Sequence, residues 1–76
     1  MLSQEQIKVF EFVARYVKDE GIAPSIWETA DAVGISYNAA RFALMDLQQL
    51  GFIKRRFNRP RAISILKWPD EAKSAA

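Results

Sequence analysis

The sequence contains no cysteine and no histidine. The first absence excludes disulfides, thiolate zinc sites and cysteine nucleophiles. The second removes the commonest general base and the commonest metal ligand. No metal site, cofactor, small-molecule ligand or catalytic set is therefore expected, and the chain does not read as an enzyme. Glycine and proline are scarce, three of each in 76 residues, so each is informative as a break in regular structure. No apolar run approaches the roughly 20 residues that span a bilayer. The opening Met1-Leu2-Ser3-Gln4-Glu5 lacks the basic stretch and apolar run of a signal peptide. A cytoplasmic setting away from membranes is the resulting expectation.

Half of the residues are hydrophobic and nine are aromatic, enough for one small core without covalent staples. The net charge of +2 says little, but its distribution says more. Residues 1–36 carry three basic and six acidic side chains, residues 37–66 carry six basic and one acidic, and residues 67–76 balance. A polyanion facing the middle segment explains such a split.

Helical spacing of Ile7, Phe10, Val13, Ala14 and Val17 predicts a first helix over Gln4–Glu20. Ser3 with Gln6 has capping-box spacing, and Gly21 stands where a left-handed cap is wanted. Val9, Phe12 and Tyr16 widen the apolar face. Ile22-Ala23-Pro24 reads as extended, with room for a very short third strand. Ser25 with Glu28 opens a short second helix, Ile26–Val33, that ends at Gly34. Ser36 caps a third, Tyr37–Leu50, that Gly51 ends. Two β-prone runs follow, Phe52–Phe57 and Ala62–Leu66, around the turn-prone Asn58-Arg59-Pro60-Arg61. The expected fold is mainly α with a small β-hairpin, over residues 1–66. Residues 67–76 read as a partly disordered tail, frayed beyond Asp70, with Trp68 able to fold back.

Two short helices joined by a glycine-containing turn form the helix-turn-helix pattern. Ala30 is small where the second and third helices approach, and Ile35 is apolar just after the turn. Ala40, Leu44, Leu47 and Leu50 form the expected buried stripe of the third helix. At about 100° per residue the opposite side carries Asn38, Arg41, Phe42, Met45 and Gln49, with Tyr37 at the flank. Asn bonds adenine, Arg bonds guanine, and apolar groups touch the thymine methyl. Asn38 and Arg41 sit in the first turns, which enter the major groove deepest. Asn38 could instead cap, Arg41 could bind phosphate, and Phe42 could pack on another protein. Lys54, Arg55, Arg56, Arg59 and Arg61 mark the hairpin as a basic wing for phosphates or the minor groove. They would also discourage strand-to-strand aggregation.

This arrangement resembles the amino-terminal DNA-binding domain of the LexA repressor family over residues 3–66. Carriers of the likeness are Leu2-Ser3-Gln4-Glu5-Gln6, Gly21-Ile22-Ala23-Pro24-Ser25, Ala30 with Gly34-Ile35-Ser36, and Asn38-Ala39-Ala40. Leu47, Leu50-Gly51-Phe52-Ile53 and Arg59-Pro60-Arg61-Ala62-Ile63 complete it. The resemblance implies a three-helix winged helix-turn-helix. It also implies that Ser36, Asn38, Ala39, Arg41 and Phe42 match the base-contacting stretch. Arg41 and Phe42 stand where the best-known members carry acidic residues, so a different operator is expected. Thr29 occupies a usually apolar site, which is expected to loosen packing. The family's peptidase domain, with its Ser-Lys dyad and dimer contacts, has no counterpart in 76 residues. If the chain is complete, self-cleavage and dimerisation by that route are not expected.

The leading expectation is a small, sequence-specific regulator that binds double-stranded DNA at the nucleoid, of phage or plasmid origin, as a homodimer or in tandem. Two alternatives stand beside it. One is a protein-interaction module that uses the fold without DNA, suggested by the acidic first helix and outward Phe42 and Met45. The other is a DNA-orienting accessory domain, since Tyr37-Asn38-Ala39-Ala40-Arg41 is similar to the winged helix at the end of bacterial DNA translocases.

Overall fold

Three serines start three helices. In the computed structural model, which describes residues 2–55 and 63–69, Ser3, Ser25 and Ser36 hold extended backbone. Each accepts a hydrogen bond on its side-chain oxygen from the amide three residues on, in Gln6, Glu28 and Ala39. The helices so begun are α1 (Gln4–Glu20), α2 (Ile26–Val33) and α3 (Tyr37–Gln49). At α1 and α2 the bond is reciprocated. The Ser3 amide donates to Gln6 Oε1 at 2.9 Å, and the Ser25 amide donates to Glu28 Oε1 at 2.8 Å. Caps of this kind satisfy donors that a helix start leaves open and contribute about 1 kcal/mol each. The third position of α3 is Ala39, which has no acceptor to return, so Ser36 caps in one direction.

Glycines shape the two turns that matter for the site. Gly34 has φ 83°, and the amides of Gly34 and Ile35 both donate to Ala30 O, at 2.8 and 3.0 Å. That left-handed residue lets α3 leave at an angle to α2, which an L side chain would resist. Gly51, at φ 84°, reverses the chain after α3. Its amide donates to Gln48 O at 3.1 Å, while that of Phe52 donates to Leu47 O at 3.0 Å, the paired bonds of a Schellman end.

This end corrects one expectation. The third helix stops at Gln49, and Leu50 is its cap, 53% exposed and outside the buried stripe. The turn at Gly51 swings Phe52 back against the core instead, with its ring 6.3 Å from that of Phe10.

The core is built from Leu2, four residues of α1 (Val9, Phe10, Val13, Ala14), three of α3 (Ala43, Leu44, Leu47) and Ile53. Ile7, Phe12, Val17, Ile26, Val33, Ile35, Phe52, Ile63 and Ile65 close over it. Val9 is wholly buried, because α1 packs against both α2 and α3. Thr29 is also fully buried, and its hydroxyl donates to Ser25 O at 2.9 Å. The hydroxyl therefore enters the core with its hydrogen bond made. Two polar bonds fix α1 across the bundle. Tyr16 Oη donates to Glu28 Oε2 at 3.2 Å, and Gln6 Nε2 donates to Asp46 Oδ2 at 3.0 Å.

Strands β1 (Ile53–Arg55) and β2 (Ile63–Ile65) form an antiparallel pair. The register sets Ile53 opposite Ile65, Lys54 opposite Ser64 and Arg55 opposite Ile63. Of the β-prone runs, Phe52 and Leu66 lie just outside the strands, although the Leu66 amide still donates to Phe52 O at 2.8 Å. The tip of the hairpin, residues 56–62, lies outside the described residues. Among the described residues the sheet has two strands, β1 and β2. Ala23 and Pro24, expected to be extended, are both buried. Trp68 does fold back. Its ring meets that of Phe10 edge-on, with centroids 5.0 Å apart. Residues 70–76, the expected frayed end, lie outside the described residues. The order helix, helix, helix, hairpin is that of a winged helix-turn-helix.

Candidate nucleic-acid interface

The cap at Ser36 and the buried stripe of α3 together decide which side chains the helix presents. Ala40, Ala43, Leu44 and Leu47 face inward. Asn38, Phe42, Met45 and Gln49 are exposed, and Tyr37, Ala39 and Arg41 are half-buried. The expected reading residues therefore share one end of one helix. Each has a distinct local state.

Ser36 is exposed, and its oxygen accepts from the Ala39 amide at 3.1 Å. Its O–H remains a donor, so capping and contact with an outside acceptor are compatible. Ala39 is half-buried and small, which lets another surface approach the helix backbone. The Tyr37 ring is held against Trp27, with centroids 4.7 Å apart and planes at 45°. Asn38 is exposed, and among the described residues nothing occupies its amide. The side chain of Arg41 runs along the helix. Its Cζ lies over the Phe42 ring, 4.8 Å from the centroid, and its Nη1 reaches Met45 Sδ at 3.9 Å. Among the described residues no carboxylate neutralises it.

The acid in residues 37–66 is Asp46. It lies about 140° around α3 from Arg41 at the helical step, and it accepts from Gln6 of α1. Negative charge on α3 is thus turned toward the bundle and away from the open end. Glu28 is likewise engaged, by the Ser25 amide and by Tyr16.

In the hairpin, Lys54 is exposed and Arg55 half-buried, on alternate sides of β1. Arg56, Arg59 and Arg61 lie outside the described residues.

One neighbour of this surface was not legible as part of it. Trp27, in the first turn of α2, is 69% exposed. It borders the amino-terminal end of α3 through Tyr37. A tryptophan two residues after a capping serine, on a helix too short to bury it, is the signal that points to it. No residue group among those described could hold a metal ion. No helix among them is long and apolar enough to cross a membrane.

The sequence is similar to known proteins. The family model described as LexA DNA binding domain matches residues 1–62. A LexA repressor of Clavibacter sepedonicus is 39% identical over 66 residues, covering 86% of this chain and 29% of its own. A LexA repressor of Desulfitobacterium hafniense is 36% identical over 72 residues, covering 93% of this chain and 35% of its own. One from Listeria welshimeri is 38% identical over 74 residues, with coverage of 96% and 36%. The chain spans about a third of the length of these curated relatives. With the three helices, their caps and turns, and β1 within the matched segment, the chain belongs to the LexA DNA binding domain family.

Proposed function

We propose that this domain binds double-stranded DNA sequence-specifically as part of a transcriptional regulator. The amino-terminal end of α3 enters the major groove, and the basic hairpin lies on phosphates or in the minor groove. The observation that carries the reading is the open end of α3. Asn38 and Arg41, two side chains able to bond base edges bidentately, stand there without a carboxylate partner among the described residues. Ser36, Tyr37, Ala39 and Phe42 complete the surface that meets the bases. Lys54, Arg55, Arg56, Arg59 and Arg61 supply affinity that does not depend on sequence.

A gel shift on random duplex at low salt tests the reading. Non-specific affinities of this class are about 10⁻⁴ to 10⁻⁶ M at physiological salt, so a shift at micromolar protein is expected. No shift under those conditions leaves the protein-interaction reading, which the exposed Phe42 and Met45 favour. Selection from random DNA then gives the site and its symmetry. A palindrome is expected, since a single domain of this size reads few base pairs and two half-sites would report a homodimer.

A further inference from the structure

The guanidinium of Arg41 is braced on the surface of α3 from two sides. The next residue supplies an aromatic face, with Cζ 4.8 Å from the Phe42 centroid. The residue one turn on supplies a sulfur, with Nη1 3.9 Å from Met45 Sδ. Both contacts are attractive for a cation or its N–H groups. Phe42 remains 52% exposed and Met45 39% exposed, so neither is committed to the core. Phe42 therefore stands beside that end of α3 with Arg41 over its ring and much of its surface open.

A guanidinium that bonds O6 and N7 of guanine does so edge-on, near the plane of the base pair. Base pairs are stacked about 3.4 Å apart. With the guanidinium lying flat over the ring, the Phe42 side chain reaches the level of the neighbouring base pair. What a base pair offers an apolar ring in the major groove is the thymine methyl. The geometry points to Arg41 and Phe42 as one reading unit for a guanine with thymine in the adjacent base pair. In this unit Phe42 is both the positioning residue for Arg41 and the contact to the methyl. This rests on the docking of α3 in the major groove proposed above.

The test starts from sites selected by the wild-type domain. Within the selected site, the guanine whose preference disappears in Arg41→Ala is identified. The neighbouring thymine is then replaced by deoxyuridine, which removes only the methyl. Loss of one buried methyl is expected to weaken wild-type binding about fourfold. The same replacement should leave Phe42→Ala unaffected, and Phe42→Ala should also lose several-fold of its preference for the guanine. Phe42→Tyr, which keeps the ring, should regain both. A merely structural role for Phe42 would lower affinity for all sequences and leave the deoxyuridine penalty in place. If an Arg41-dependent guanine exists but wild-type binding ignores the thymine methyl on either side, the paired unit is overturned while α3 docking stands. If Arg41→Ala keeps every base preference, the docking of Arg41 and the inference built on it both fall. If Arg41→Ala does not fold, deoxyuridine replaces each thymine adjacent to a guanine of the selected site in turn with wild-type protein, and the absence of a penalty at every one of them overturns the unit.

Discussion

Asn38 and Arg41 carry the specificity argument at the scale of single residues. A good bidentate contact discriminates by about 1–3 kcal/mol, so replacing both should abolish preference for a selected site. Non-specific binding should largely remain, because the hairpin cations are untouched. Titration of Asn38→Ala/Arg41→Ala against selected and scrambled duplexes checks this, and an equal loss on both would remove the distinction between reader and anchor. Thr29 gives a second residue-scale prediction. Its hydroxyl is bonded to Ser25 O, but that carbonyl also accepts the Thr29 amide at 3.0 Å. Thr29→Val therefore leaves no orphan acceptor, gains a buried methyl and relieves a back-bond that slightly disfavours helix. A rise in melting temperature of a few degrees is expected, on the scale of roughly 4–8 °C per kcal/mol for a domain of this size. A fall of similar size would show that the hydroxyl bond is needed. The loosening anticipated from a polar residue in α2 is thus offset locally, by an oxygen one turn back that no pattern of apolar residues reveals.

Elements in this fold are defined mainly by their ends. The turn between α2 and α3 depends on Gly34 at φ 83°, and a Cβ placed there would meet nothing within 4 Å. The cost of Gly34→Ala is therefore backbone strain alone, about 1–2 kcal/mol. Thermal denaturation should show it, with a smaller loss for Gly34→Asn, since asparagine tolerates the left-handed region better. Equal losses for the two would point to a cause other than φ. The same dependence on ends made most boundaries readable. Ser3 with Gln6, Ser25 with Glu28, and the glycines at 21 and 34 mark α1 and α2 as they stand. The carboxy-terminal end of α3 was harder to read. Leu50 continues the apolar spacing, yet the Gly51 turn presents Phe52 to the core and leaves Leu50 outside. Phe52 and Leu66 likewise belong to β-prone runs yet lie outside the strands, because β propensity reports a side chain that suits a sheet, while pairing requires a partner in register.

At the scale of the whole molecule, charge is segregated along the chain. Asp46 turns toward α1, while Arg41, Lys54 and Arg55 remain clear of carboxylates among the described residues. Neutralising roughly three to five phosphates should make log K fall against log[salt] with a slope of about −3 to −4.5. Arg59→Ala with Arg61→Ala should weaken binding to every sequence and flatten that slope by about 1.8. Measuring affinity between low and physiological salt tests both statements. An unchanged slope would take these two arginines off the phosphates.

By itself the sequence determined the starts of all three helices, the turn between α2 and α3, and the outward position of Asn38 and Phe42. Each follows from bonds or strain within a few residues, or from the helical step, and so needs no knowledge of distant chain. Tertiary structure alone decided the contacts made across the fold: Trp68 on Phe10, Gln6 on Asp46, and Trp27 against Tyr37. It also decided which apolar residue closes the core after α3. These depend on where separate elements come to rest, and helical periodicity carries no information about that. Arg41 lies between the two cases. Its place on the open side is a matter of spacing, but its bracing by Phe42 and Met45 is a choice among rotamers that only the folded surface makes.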